Sequence, residues 1–198
     1  ILYTYFFVIS SVLQAQSFGQ NKVQYRDFEW SFISSPNFDV YYYGDELDLA
    51  TFTMEAANEA YEQIGKHLRW TLKKRVPILV YHSHNEFQQN NAVGVYMSEG
   101  IGGVTELFKN RVVIPFEGDY KAFRHVIHHE LVHAMINDLI YGGRMNNVAS
   151  GQVRWSIPLW ANEGLAEYLS SNWDTEADMI IRDLAINERI PTVKELEY

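Results

Sequence analysis

Residues 129–133 read His-Glu-Leu-Val-His inside an otherwise apolar run, with further histidines at 125 and 128. On an α-helix, positions i and i+4 lie about 40° apart in projection and one turn apart along the axis, so His129 and His133 can point at one ion. Glu130 sits beside the first of them, where its carboxylate can reach a water on that ion. This H-E-x-x-H spacing suits zinc. Two imidazoles hold the metal, the metal acidifies a water, and the glutamate takes the proton as the water attacks a carbonyl.

The surrounding residues bear on that reading. Val126, Ile127, Leu131, Val132, Met135, Ile136 and Leu139 make the helix expected over residues 120–140 apolar over most of its circumference. A helix apolar nearly all round is a buried one. Buried His and Glu need partners, because unpaired burial costs kilocalories. A metal would satisfy all three side chains at once; a metal-free polar network is the other solution. His128 lies off the ligand stripe and reads as structural. His125 reads as solvated near the helix start, with a pocket position as the alternative.

The chain has no cysteine, so a zinc ion would be held by His, Asp or Glu. Two histidines leave a tetrahedral site one protein ligand short. A longer histidine motif would need glycine at position 136 and histidine at 139, where the chain has Ile136 and Leu139. Asp138 is near in sequence but turned away from His133 on the helix. The better candidate lies in Ser-Ile-Pro-Leu-Trp-Ala-Asn-Glu-Gly-Leu-Ala-Glu-Tyr, residues 156–168. There Glu163 and Glu167 sit i, i+4 on a second helix among Leu159, Trp160, Leu165, Ala166 and Leu169. Alone, two such glutamates fit a solvated face equally well. Beside an incomplete metal site, Glu163 is the expected third ligand. Glu167, one turn on, could accept the other imidazole N–H of a metal-bound histidine. Gly164 would allow the two helices to pack closely.

The elements that must position these groups follow from the rest of the chain. Its 198 residues suffice for one domain with a sizeable core, and 47% hydrophobic with 21% charged residues reads as globular. A net charge of −9 disfavours nucleic acid and anionic membranes as partners. Residues 37–43 and 75–82 read as strands, and residues 45–69 as a helix with Leu49, Phe52, Ala56, Ala60, Ile64 and Leu68 on one stripe. A short polar helix follows the second strand, and the glycine-punctuated residues 92–103 read as a loop or bulged strand. Two further strands flank a turn at Lys109-Asn110. Asp119 caps the helix of the motif and Gly142-Gly143 stops it. Residues 144–155 read as a surface loop. Ser156 is the expected cap of the next helix, with Pro158 in its first turn; a last helix spans about 174–188. The class expected is α+β.

Residues 1–17 form an apolar stretch of about a dozen residues closed by small Ala15 and Ser17. That reads as a signal peptide, with a mature chain starting near Phe18 and residues 18–198 as one domain. The implied localisation is export to the periplasm or cell envelope. A buried strand is the alternative. The initiator Met and a basic leader are missing from this stretch, so the chain is read as cut short at its start.

Together, His-Glu-Leu-Val-His and Asn-Glu-Gly-Leu-Ala-Glu-Tyr resemble the gluzincin metallopeptidases, which pair H-E-x-x-H on one helix with a glutamate ligand on the next. The second string is similar to the N-E-G-x-A-x-Y segment of alanyl-aminopeptidase-type enzymes. The resemblance implies a zincin-like fold, a small mixed sheet packed on an active-site helix with a helical part after it. It implies Zn²⁺ held by His129, His133 and Glu163, Glu130 as catalytic base, and Glu167 supporting a ligand. More broadly, residues 24–198 resemble the peptidase-like domain at the front of some Tol-type bacterial envelope proteins. The strings Gly-Ile-Gly-Gly-Val-Thr-Glu-Leu-Phe-Lys-Asn-Arg-Val-Val-Ile-Pro-Phe-Glu-Gly and His-His-Glu-Leu-Val-His-Ala carry that likeness. It implies a chain cut short at its C-terminus, with a following β-propeller or an envelope protein as partner. The G-x-M-E-N amine-binding segment of aminopeptidases is replaced by Tyr-Met-Ser-Glu-Gly-Ile-Gly-Gly-Val-Thr-Glu, so aminopeptidase activity is not implied.

The function expected is zinc-dependent peptide-bond hydrolysis, with a peptide or protein substrate. Such a substrate would lie along an edge strand near residues 111–116, which also reads as an ordinary internal strand. The rival is a catalytically inactive, zinc-stabilised binding or scaffold module. Tyr41, Tyr42, Tyr43 and Trp160 read as core rather than as specificity determinants.

Overall fold

The computed structural model describes residues 25–92, 100–142, 157–171, 173 and 175–197. The signal-peptide assignment to residues 1–17, most of the loop at 92–103, the loop at 144–155 and the Ser156 cap lie outside the described residues.

Among the described residues, five strands and five helices form a mixed α/β architecture, within the α+β class expected. In chain order they are β1 (Trp30–Ser34), β2 (Phe38–Tyr43), α1 (Leu47–Leu68), β3 (Val76–Tyr81), α2 (His84–Phe87), β4 (Val104–Glu106), β5 (Arg111–Pro115), α3 (Tyr120–Tyr141), α4 (Leu159–Ser170) and α5 (Thr175–Ile186), followed by a 3₁₀ turn at Val193–Glu197. The sheet order is β1-β2-β3-β5-β4. The three inner strands are parallel, and each edge strand is antiparallel to its neighbour.

Inner parallel strands are covered on both faces, and the period-2 pattern divides their side chains. Phe38, Val40, Val76, Ile78, Val80, Val112 and Ile114 point to a core shared with α1 and α3. Tyr43, Tyr81 and Val113 point the other way, onto Phe87, Phe28 and Trp30. Alanines at 50, 56, 57 and 60 keep α1 thin where it meets α3 and the sheet. Trp160, expected in the core, lies at the surface, whereas Tyr43 is buried. α5 has no buried residue.

β5 is not an edge strand, contrary to one reading of residues 111–116. The β4–β5 hairpin folds its first arm outward, so β4 takes the edge. The turn is closed by Asn110 at φ 50° and by Glu106. The Glu106 carboxylate accepts the main-chain N–H groups of Phe108 at 2.6 Å and Lys109 at 3.1 Å, and pairs with Arg111 Nε at 3.1 Å.

α3 is fixed at both ends. The Asp119 carboxylate accepts from Lys121 N at 2.8 Å and Ala122 N at 3.1 Å, as expected of an N-cap. Near the other end the buried Asp138 accepts from Trp70 Nε1 at 2.9 Å and Lys73 N at 3.1 Å, tying α3 to the segment after α1. Among the described residues no helix is long and apolar enough to cross a membrane.

Asp138→Ala would strand the half-buried Trp70 Nε1 donor and free the Lys73 N–H. We expect a loss of about 2–4 kcal/mol, read by chemical denaturation, with metal content unchanged.

Candidate metal centre

α3 presents its apolar side to the sheet and α1, where Ile127, Leu131 and Met135 are fully buried. The next face carries His129, Glu130 and His133, and α4 packs across it. This apposition brings Glu163 to the two histidines. Glu163 Oε2 lies 3.4 Å from His129 Nε2 and 3.4 Å from His133 Nε2, and the two Nε2 atoms are 3.2 Å apart.

Such a triangle has a chemical meaning. Ligand atoms about 2.0–2.2 Å from a tetrahedral zinc stand roughly 3.3–3.6 Å from one another. The three edges found here match that spacing closely. Two Nε2 atoms so near each other can both present lone pairs only around a cation; otherwise one must carry a proton. The donor set of two imidazoles and one carboxylate is one that zinc accepts.

Glu167 lies one turn beyond Glu163. Its Oε2 is 3.6 Å from His129 Nδ1 and 3.8 Å from His125 Nε2, ion-pair range rather than hydrogen-bond distance, while Oε1 accepts from Ser171 Oγ. His125 lines the same cavity, while its side chain stays 43% exposed, in keeping with the solvated reading. It faces across to α4, a neighbour that its place in sequence does not reveal. His128 is half-buried off this face, and burial pushes its pKa down. Asp138 takes no part, being held by Trp70 and Lys73.

α4 itself differs from expectation in two ways. Pro158 is its N-cap rather than a first-turn residue, with no side-chain cap bond. A Cβ at Gly164 would meet nothing within 4 Å, so the glycine is not what lets the helices approach; Ala166, fully buried, lies at that contact.

The cavity beside the triangle measures about 520 Å³ and is lined by Gly103, Thr105, Glu130 and Asn162 together with the candidate ligands. Glu130 is 6% exposed. Burial pushes its pKa up to about 7, the charge of Glu163 adds to this, and a hydrogen bond from Thr105 opposes it. Burial lowers the pKa of His133, against the pull of Glu163. A buried imidazole that stays neutral keeps its lone pair for a metal. Thr105 and Gly103 went unnoticed in the sequence, where only the Gly102-Gly103 pair hinted at a close approach.

The raised Glu130 pKa sets a pH dependence in the metal-free protein. The native state holds this proton more tightly than the unfolded chain, so stability falls as pH rises from about 4.5 through 7. Metal-free Glu130→Gln should therefore be more stable than wild type above pH 7, by up to about 3 kcal/mol. The gap should close below pH 4.5, as measured by denaturant titrations of both proteins.

No protein-family model, no curated protein and no solved structure matches this chain.

Proposed function

We propose that the chain is a zincin-like domain of gluzincin type that hydrolyses peptide bonds with zinc. The observation that carries this reading is the triangle of His129, His133 and Glu163, with edges of 3.2–3.4 Å, facing a cavity that also holds a buried glutamate. A zinc ion bound there supplies a Lewis acid that polarises a carbonyl and acidifies a water. His129, His133 and Glu163 hold it. Glu167 opposes the far nitrogen of His129 and favours the tautomer that leaves Nε2 free for the metal. Glu130 takes a proton from the attacking water and passes it to the departing amide nitrogen as the C–N bond breaks. Its carboxylate, 6% exposed and beside the candidate ligands, is placed for both transfers.

The substrate is a peptide or protein segment. An extended chain would add at the outer edge of β4, beyond which no described strand pairs, and whose Thr105 contacts Glu130. In this reading the domain works outside the cytoplasm, in the periplasm or cell envelope, where a β-propeller or envelope protein is its proposed partner. The acidic chain is a poor match for nucleic acid.

Metal analysis and peptide-library cleavage test the proposal together. Wild type should bind one zinc and cut peptides. Glu130→Gln should keep the zinc and lose cleavage by at least about 100-fold. His129→Ala or His133→Ala should lose the metal, and Glu167→Ala should weaken zinc binding about 10–100-fold. Normal zinc content in Glu163→Gln would overturn the ligand set. A zinc-loaded wild type that cuts nothing would favour an inactive scaffold module.

A further inference from the structure

A glutamate side chain turns about three bonds, so a base that must meet its water at one place needs its carboxylate restrained. Two residues at the sheet edge act on Glu130. The Thr105 hydroxyl lies 2.7 Å from Glu130 Oε2 and 2.9 Å from the Glu130 main-chain carbonyl oxygen. The single hydroxyl proton is shared between these two acceptors, and the shorter distance favours donation to Oε2.

Gly103 acts on the other oxygen. A Cβ at this position would stand 2.9 Å from Glu130 Cγ, 2.9 Å from Ile114 Cγ2 and 3.0 Å from Glu130 Oε1. The Gly103 backbone is not in the left-handed region, so the residue is not demanded by its φ. What it provides is space. Any side chain there would press on Glu130 at Cγ and Oε1, and both residues line the cavity.

Building on the peptidase reading, we infer that Thr105 and Gly103 are positioning residues that make the Glu130 carboxylate asymmetric. Oε2 is tethered, and Oε1 is left open to the cavity as the oxygen that meets the water. The two restraints come from one segment two residues apart, and both act on the same carboxylate.

Thr105→Val removes the hydroxyl and keeps the shape. We expect kcat to fall about 10–100-fold with KM and zinc content within about twofold, because a small misplacement of a reacting group is costly while binding is untouched. Thr105→Ser should recover most of the loss, which a merely structural role for the methyl group would not predict. A kcat of Thr105→Val within about twofold of wild type would overturn the inference. If Thr105→Val does not fold, Gly103→Ala replaces it: a comparable kcat loss supports the inference and an unchanged kcat overturns it. If wild type cuts no peptide, the hydrolase reading fails, and crystal structures of metal-free wild type and Thr105→Val then decide the positioning role. Displacement of the Glu130 carboxylate from the 103–105 segment in the variant supports it, and an unmoved carboxylate overturns it.

Discussion

One helix has to be both core and site. α3 buries Ile127, Leu131 and Met135 completely, yet also carries Glu130, His133 and Asp138 into regions of low dielectric, with His129 half-buried beside them. Unpartnered, each of these polar groups would cost kilocalories. The fold answers each separately. Asp138 takes two donors from the segment after α1, Glu130 takes the Thr105 hydroxyl, and the histidines receive Glu163 from α4. The polar groups of α3 thus select which elements must pack around it, and the apolar groups fix where it sits.

The sheet gives this helix a rigid seat. β3 and β5 are inner parallel strands, and the chain leaves β5 only a few residues before Asp119 caps α3. Phe116 N bonds to Tyr81 O at 2.7 Å and extends the pairing one residue past the end of β5. The start of α3 is therefore set by the end of the sheet, and its ligand face by the packing of Ile127 and Leu131. Four of the groups around the cavity, His125, His129, Glu130 and His133, inherit their positions from that one placement.

Much of this was legible in the sequence because it is local. The long helices were readable from sustained apolar spacing, and for α3 from the Asp119 cap as well. The inner strands were readable from alternation, the β4–β5 turn from Lys109-Asn110, and the candidate ligands from i, i+4 spacing on each of two helices. What escaped depends on neighbours distant in the chain. β1 was missed because Ser31, Phe32 and Ser34 are exposed and blur its alternation. The strand order was ambiguous because nothing within residues 111–116 tells which side its hairpin partner takes. Trp160 was misplaced for the same reason, since its exposure is decided by how α4 packs. The contact of Thr105 with Glu130 spans 25 positions, and only the fold brings the two together.

The shortness of β4 bears on how copies of this chain behave at high concentration. An exposed strand edge invites edge-to-edge sheet growth between molecules. Among the described residues this edge is three residues long, and the Glu106 carboxylate takes up the main-chain N–H groups of Phe108 and Lys109 in the following turn, so they are not free to pair with another strand. The strand can accept one short extended segment but is a poor template for polymerisation. Mutual repulsion of molecules carrying −9 charges adds to that protection.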